Sequence, residues 1–482
     1  MAHPAQARPP HESDLMPGRV WGALVFVTAV AAALRFPFLG HQSLWLDEIF
    51  TREIVKEATL SGLWRHVRAT ESTPPLFYVL EWLVNARSAT AMRVIPALSS
   101  TAAAPVSYFA ARRFVGPRAA LASAACVAVS PMLVSYGTDA RSYALLVLTA
   151  LLTVWATAEL LDRQSWRRLS AWVLACALCV WTHYFGAFLV VGEALLLLVV
   201  RPAARRRVGV ACSAIVILLA PLVPLLAKQS SSERAEFISE LQLGSRVETT
   251  VRQFAMGPDV PRSWLEAAGL VVFAIALGWG AMSVLRSSQS RPRMLLWLAA
   301  FTLAIPLLLS VTGISDRFYA RNLMLALPLV IALAAPALLR ARAAPLALYL
   351  ALASVTSLWV ATNWRYEQLD WRDALAAAER AQPSAPVLAV SASSGPVIET
   401  YLGRAPAPSG SLTTRQVWIA VEPTRPAGHR ALTPRALPSL SGFTSARTLE
   451  TDGFTLALER ALAPTPVSAS AVSSSILFPG RA

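Results

Sequence analysis

Long apolar runs decide what this chain can fold into. "VWGALVFVTAVAAAL", "ALASAACVAVSPMLVSYG", "YALLVLTALLTVWATAELL" and "NLMLALPLVIALAAPALL" each approach or reach the length that crosses a bilayer, about 20 residues of helix. Hydrophobic residues make up 55% of the 482 positions and charged residues 15%, against about 25% charged in a soluble domain. The chain therefore reads as a polytopic α-helical membrane protein.

The net charge of +15 raises the alternative of nucleic-acid binding, and its distribution answers it. Arginines gather in short loops between apolar runs: Arg112, Arg113 and Arg118; Arg163, Arg167 and Arg168; Arg201 and Arg205 to Arg207; Arg286, Arg291 and Arg293; Arg340 and Arg342. That is the positive-inside pattern, so no nucleic-acid partner is expected. The four cysteines all lie in apolar runs, and the Cys176-x-x-Cys179 pair reads as buried small side chains rather than a redox or zinc motif.

With the arginine loops cytoplasmic, an uncleaved first helix at about 20–39 leads outward from a cytoplasmic 1–19. Further spans follow at 91–111, 117–136, 142–161, 169–183, 185–200, 208–227, 263–285, 294–313, 319–339 and 343–362, about eleven in all. The first outer loop, 40–90, is expected to hold juxtamembrane helices. "PPLFYVLEWLVN" is too short to span and carries Glu81, and "EIFTREIVKEATLSGLWRHV" is amphipathic. The transmembrane domain is expected to cover 20–363. A small extracytoplasmic α/β domain should occupy 364–461, with strands at "APVLAVSA" and "RQVWIAVEP", a helix at "LDWRDALAAAERA" and a hairpin turning at Asp452-Gly453. A disordered tail is expected over 462–482.

Four short patterns then share the outer face. They are Asp47-Glu48 just after the first helix; "TDARSY", with Asp139, Arg141 and Tyr143; "THYF", with His183 and Tyr184; and "SDRFYARN", with Asp316, Arg317, Tyr319 and Arg321. A carboxylate at a membrane lip suits deprotonation of a hydroxyl, and arginines there suit a phosphate. Each also has a plainer reading. Acids in a first helical turn are favoured by the helix dipole, charges past a helix end anchor in headgroups, and a lone histidine is more often structural than a ligand.

At these residues the chain resembles the GT-C glycosyltransferases, in particular the family-39-type enzymes related to the protein O-mannosyltransferases and the lipid A aminoarabinose transferase. "LWLDE" resembles their Asp-Glu motif, and "TPPLFYVLEWLV" their juxtamembrane segment. The block ending in "TDARSYAL", with "THYF" and "RFYARNLMLALP", also has counterparts there. The resemblance implies a multi-pass protein of the cytoplasmic (inner) membrane with its site and C-terminal domain extracytoplasmic. It implies transfer of a hexosyl or pentosyl group from a polyprenyl-phosphate sugar to a lipid, glycan or protein hydroxyl, with inversion. Carried over by position, Asp47 is the candidate base and Glu48 orients it or the acceptor. Arg141, Arg321 and Arg317 are assigned to the donor phosphate, and Asp139, Tyr143, His183, Tyr184, Tyr319 and Glu71 to the cavity wall. The place before the two prolines, often His, Lys or Asp in relatives, is Thr73 here, with Glu71 the nearest acid. No ligand-spaced cluster points to a metal; a divalent cation is left open and no cofactor is assigned. Two other classes compete. A transporter or flippase needs ionisable groups deep in its spans, of which Glu193 is the main example, and a non-catalytic scaffold would use the tail alone.

Overall fold

The computed structural model describes residues 17–230, 236–258, 260, 263–366, 369–391, 393–424 and 431–481. The first helix, α1 (Pro17–Ala33), is followed by a group of short helices: α2 (Leu46–Val55), α3 (Leu60–Thr70), α4 (Leu76–Leu83) and α5 (Ala89–Met92). The bundle continues with α6 (Val94–Val115), α7 (Pro117–Val129), α8 (Pro131–Ser135), α9 (Tyr143–Asp162), α10 (Trp166–Thr182), α11 (Gly186–Val200), α12 (Arg205–Leu219) and α13 (Val223–Ser230). Then come α14 (Glu236–Glu240), α15 (Leu243–Met256), α16 (Trp264–Arg286), α17 (Ser290–Val311), α18 (Leu327–Leu338) and α19 (Ala344–Thr362).

A helix lies on each of the eleven expected spans. Among the described residues, eight helical stretches are long and apolar enough to cross a membrane; on the remaining three spans, α7, α10 and α11 are shorter. Helices dominate because a chain in hydrocarbon must satisfy its backbone within each segment. The large apolar side chains left exposed agree with a lipid-facing surface, among them Trp21, Val25 and Phe26 on α1 and Val271, Ile275 and Trp279 on α16. α6 is the hub, packing against α1, α7 and α9.

The two ends of the bundle differ. At the C-terminal end of α9, Arg113 pairs with Glu159 and with Asp162, and Arg291 with Asp162, joining the arginine loops. α9 has 20 residues, so this end lies about 30 Å from its N-terminus, where α2–α5 gather.

The C-terminal domain sits at the α9 N-terminal end. It has α20 (Trp371–Ala381), α21 (Gly395–Leu402) and five strands: β1 (Val387–Val390), β2 (Ser411–Val421), β3 (Thr444–Thr451), β4 (Phe454–Ser468) and β5 (Ser475–Phe478). The sheet order is β3-β4-β2-β1-β5, parallel only between β1 and β2. The hairpin turns at Asp452, whose φ is 44°, and Gly453, as the Asp-Gly pair predicts. The expected disordered end from 462 is corrected. β4 runs to Ser468, and β5 pairs antiparallel with β1, burying Leu477 and Phe478. The polar, proline-containing tail masked a short apolar strand that completes the sheet.

One apolar cluster crosses the junction. Leu44, Ile49, Ala86, Met92 and Ala140 pack with Trp371, Leu375, Val397, Ile398, Leu402 and Phe454. The C-terminal domain is thereby seated on the segment that carries Asp47 and Glu48.

Candidate functional site

Helix α2 begins where Trp45 is extended, and Glu48 reaches back to accept the Trp45 backbone N–H at 3.3 Å, the Glu half of a capping box. That places Asp47 and Glu48 side by side in the first turn, yet their surroundings are opposite. Glu48 is fully buried. Its Oε1 accepts from Arg93 Nε at 2.8 Å and from the Ala140 amide at 2.7 Å, and its Oε2 meets Arg93 Nη2 at 2.5 Å. A carboxylate so fully bonded is a structural anchor. Asp47 keeps a side chain 25% exposed, with Oδ2 at 3.5 Å from Arg321 Nη1.

Arg93 was not singled out in the sequence. The rest of its guanidinium donates to the carbonyls of Leu39, Gln42 and Ser43 at 2.9–3.0 Å. The signal was available, because Arg93 opens a helix at the same end as Arg141 and Arg321, against the direction of the arginine loops. Trp45 was also missed. Its Nε1 donates to Asp139 Oδ1 at 2.8 Å.

Arg141 stands elsewhere than expected. Its two terminal nitrogens grip Glu71 at 3.0 and 2.9 Å, and Nη1 also reaches the Asp47 carbonyl at 3.1 Å and Thr51 Oγ1 at 3.2 Å. Both residues are buried, so the fork assigned to a donor phosphate is filled by Glu71, and Glu71 is committed to an ion pair rather than to a cavity wall. The pair ties the loop before Pro74 to α2.

Two arginines line a cavity, Arg93, taken up by Glu48 and three carbonyls, and Arg321. Arg321 projects from a 3-10 segment, Ala320–Ala326, with its guanidinium 5.5 Å from the Tyr319 ring centre and 5.7 Å from that of Tyr143. The cavity has a volume of ≈ 420 Å³. Its polar wall includes Gln42, Trp45, Glu48, Arg93, Asp139, Tyr319 and Arg321; its apolar wall includes Leu34, Phe38, Pro131, Val134, Met256, Val260 and Val360. Asp47 is not in that wall and meets it through Arg321. Burial, reinforced by the Glu48 carboxylate, pushes the Asp139 carboxyl up from its ordinary range.

His183, at the turn between α10 and α11, is buried and accepts the Phe185 amide on Nδ1 at 3.2 Å. Burial first, then the Arg321 and Arg141 charges, lower it to about 3, so it is neutral at pH 7 and no general acid. His183 lies outside the cavity wall, and so do three further expected residues. The Tyr184 hydroxyl donates to Gln229 Oε1 at 2.7 Å, bracing the 67–73 segment through that amide; Tyr143 stacks edge-on to Tyr136; and Arg317 does not line the cavity. Among the described residues, the one cation-sized group of three carboxylates is Asp370, Asp373 and Asp452, in the C-terminal domain; Arg372 pairs with the first two.

Residues 72–227 match the family model described as dolichyl-phosphate-mannose-protein mannosyltransferase. The crystal structure of ArnT from Cupriavidus metallidurans bound to undecaprenyl phosphate is similar to this chain with a TM-score of 0.54 at 15% identity, covering 91% of this chain and 98% of that one. Its apo state gives 0.54 at 14%. The Archaeoglobus fulgidus oligosaccharyltransferase tethered to an acceptor peptide gives 0.50 at 13%, covering 82% and 64%. No curated protein sequence matches the chain. The chain has the GT-C fold.

Proposed function

We propose that this protein transfers a sugar from a polyprenyl-phosphate donor to a hydroxyl acceptor at the extracytoplasmic face of the cytoplasmic membrane. The observation that carries the reading is the 3.5 Å meeting of Asp47 and Arg321 at the rim of a cavity lined by both polar and apolar side chains. Such a cavity suits a prenyl chain joined to a charged phosphate. The undecaprenyl phosphate bound by the similar ArnT, and the partial match to a family acting with dolichyl-phosphate mannose, support that donor class. The arginine loops at the opposite end of the bundle support the orientation.

In the proposed reaction the donor phosphate takes over the Arg321 guanidinium and frees Asp47. Asp47 accepts the proton of the acceptor hydroxyl, and the oxygen attacks the anomeric carbon from the face opposite the phosphate. The carbon–oxygen bond to phosphate breaks with inversion, and the leaving polyprenyl phosphate carries its charge beside Arg321. The sugar is hexosyl or pentosyl, and the acceptor a lipid, glycan or protein. Glu71–Arg141 and Glu48–Arg93 hold the base-bearing helix in place. A transporter reading gains nothing from Glu193, whose carboxylate is bonded inside the bundle by Thr153 at 2.8 Å and Trp172 at 2.9 Å.

The test is release of polyprenyl phosphate by purified protein given polyprenyl-phosphate hexoses or pentoses and candidate acceptors. Asp47→Asn should cut kcat by about a hundredfold or more, the scale of a lost general base. Near-normal turnover in a folded Asp47→Asn protein removes Asp47 as base.

A further inference from the structure

The segment between α1 and α2 has no regular secondary structure over residues 42–45, yet five consecutive carbonyls in it are engaged by two guanidiniums. Arg93, at the head of α6, takes Leu39, Gln42 and Ser43. Arg372, from α20 of the C-terminal domain, takes the two between them: Gly40 at 3.1 Å and His41 at 2.8 Å. The domain adds two more bonds. The Leu44 amide donates to the Tyr401 hydroxyl at 2.7 Å, and Ser43 Oγ donates to the Leu369 carbonyl at 2.8 Å. Trp45 and α2 follow directly.

Among the described residues, none that lines the cavity lies beyond Tyr366, so the described sheet and helices of the domain supply no wall to it. Besides the apolar packing of the domain against Ile49 of α2 and Ala140, their hydrogen-bonded route to the site runs through the 39–45 backbone. From there it reaches Trp45, whose indole holds Asp139, and the first turn of α2, which presents Asp47.

We propose that Tyr401 and Arg372 are positioning residues, and that the C-terminal domain serves as a clamp fixing the 39–45 segment so that Asp47 is held at reacting distance. Misplacement of a base by about 1 Å costs up to about a hundredfold in rate while leaving the binding groups in place. The role in turnover rests on the transferase reading; the clamp itself does not.

The experiment uses the full-length protein in detergent or nanodiscs, with Tyr401→Phe, Arg372→Ala and Arg372→Lys. Two quantities are measured: backbone amide exchange over residues 39–48, and steady-state kinetics with a polyprenyl-phosphate sugar. Tyr401→Phe keeps the ring and removes only the acceptor of the Leu44 amide. It should speed exchange at 43–45, leave the thermal midpoint within a few degrees, and lower kcat about tenfold or more with the donor KM little changed. Arg372→Lys, which can still reach one carbonyl, should fall between wild type and Arg372→Ala. Unchanged exchange at 39–48 in both Tyr401→Phe and Arg372→Ala overturns the clamp. Faster exchange with unchanged kcat reduces the contacts to domain docking and overturns the positioning role. If one variant unfolds, Ser43→Ala supplies the same two readouts. A wild-type protein that releases no polyprenyl phosphate from any donor counts against the transferase, while the exchange data still decide the clamp.

Discussion

Two arginines that look equivalent in sequence, Arg141 in "DARSY" and Arg321 in "YARN", have different surroundings, and this sets different expectations for each. Arg141 is locked bidentately to buried Glu71, so Arg141→Ala should strand a carboxylate and destabilise the protein by about 3–5 kcal/mol in thermal or denaturant unfolding. Arg321 faces the cavity and meets Asp47 at long range. Arg321→Lys should leave the unfolding midpoint nearly unchanged and lower kcat/KM for the lipid-linked sugar by about 1.5–3 kcal/mol, the scale of a charge-assisted hydrogen bond. Equal stability losses in both variants would refute the distinction. His183 offers a pH readout. Its ring is lowered from 6.5 to about 3 by burial and the two arginines, so the unfolded chain takes up a proton before the folded protein does. Its contribution to stability is therefore intact above pH 6.5 and lost as pH falls from there toward 3, by about 2 kcal/mol at pH 5. The drop in midpoint between pH 7.5 and pH 5 should be smaller in His183→Asn; an equal drop would remove His183 as its source. The residue types at the site were legible, because carboxylates and arginines stood at membrane lips. Which acid was buried and which arginine was filled was not, because Glu48–Arg93 and Arg141–Glu71 are separated by 45 and 70 positions and close only in three dimensions.

Among the elements, α4 was readable as a short helix outside the spans, from its length and Glu81. The burial of Glu81 was not. Both its oxygens are buried without a hydrogen-bond partner, and burial raises the carboxyl to about 9. The folded protein keeps Glu81 neutral where the unfolded chain ionises it. Stability attributable to this residue is therefore full below pH 4.5 and declines as pH rises toward 9, by about 3 kcal/mol at pH 7. Glu81→Met should raise the unfolding midpoint at pH 7 and flatten its fall between pH 5 and 8; a lower midpoint would show that the acid has a stabilising role. Proline marks one place where an expected span breaks, although Pro105 and Pro306 stay inside continuous helices. The single span read at 117–136 divides at Ser130-Pro131 into α7 and α8, and Pro131 lines the cavity. Hydropathy alone merges such pieces, since both are apolar. The hairpin at Asp452-Gly453 was legible from turn chemistry, whereas β5 was hidden in a serine-rich end whose register depends on β1.

For the whole molecule, the charge asymmetry and the position of the C-terminal domain make one joint statement. The arginine loops of α6–α7, α9–α10 and α11–α12 lie at one end, and the first loop, the cavity and the sheet lie at the other, about one membrane thickness away along α9. If this protein obeys the positive-inside rule, the domain and the candidate site face outward together. Single cysteines test this in a protein whose Cys126, Cys176, Cys179 and Cys212 have been replaced. Leu462, on β4, is fully exposed, and Arg206, in the first turn of α12, is also exposed. Leu462→Cys should react with a membrane-impermeant maleimide in intact spheroplasts, and Arg206→Cys only after permeabilisation. The reverse labelling would invert the orientation and leave Asp47 on the cytoplasmic side. Labelling of both from outside would mean that the basic end does not mark the cytoplasm. The outcome bears on chemistry as well as topology, because it decides on which side the acceptor hydroxyl must arrive.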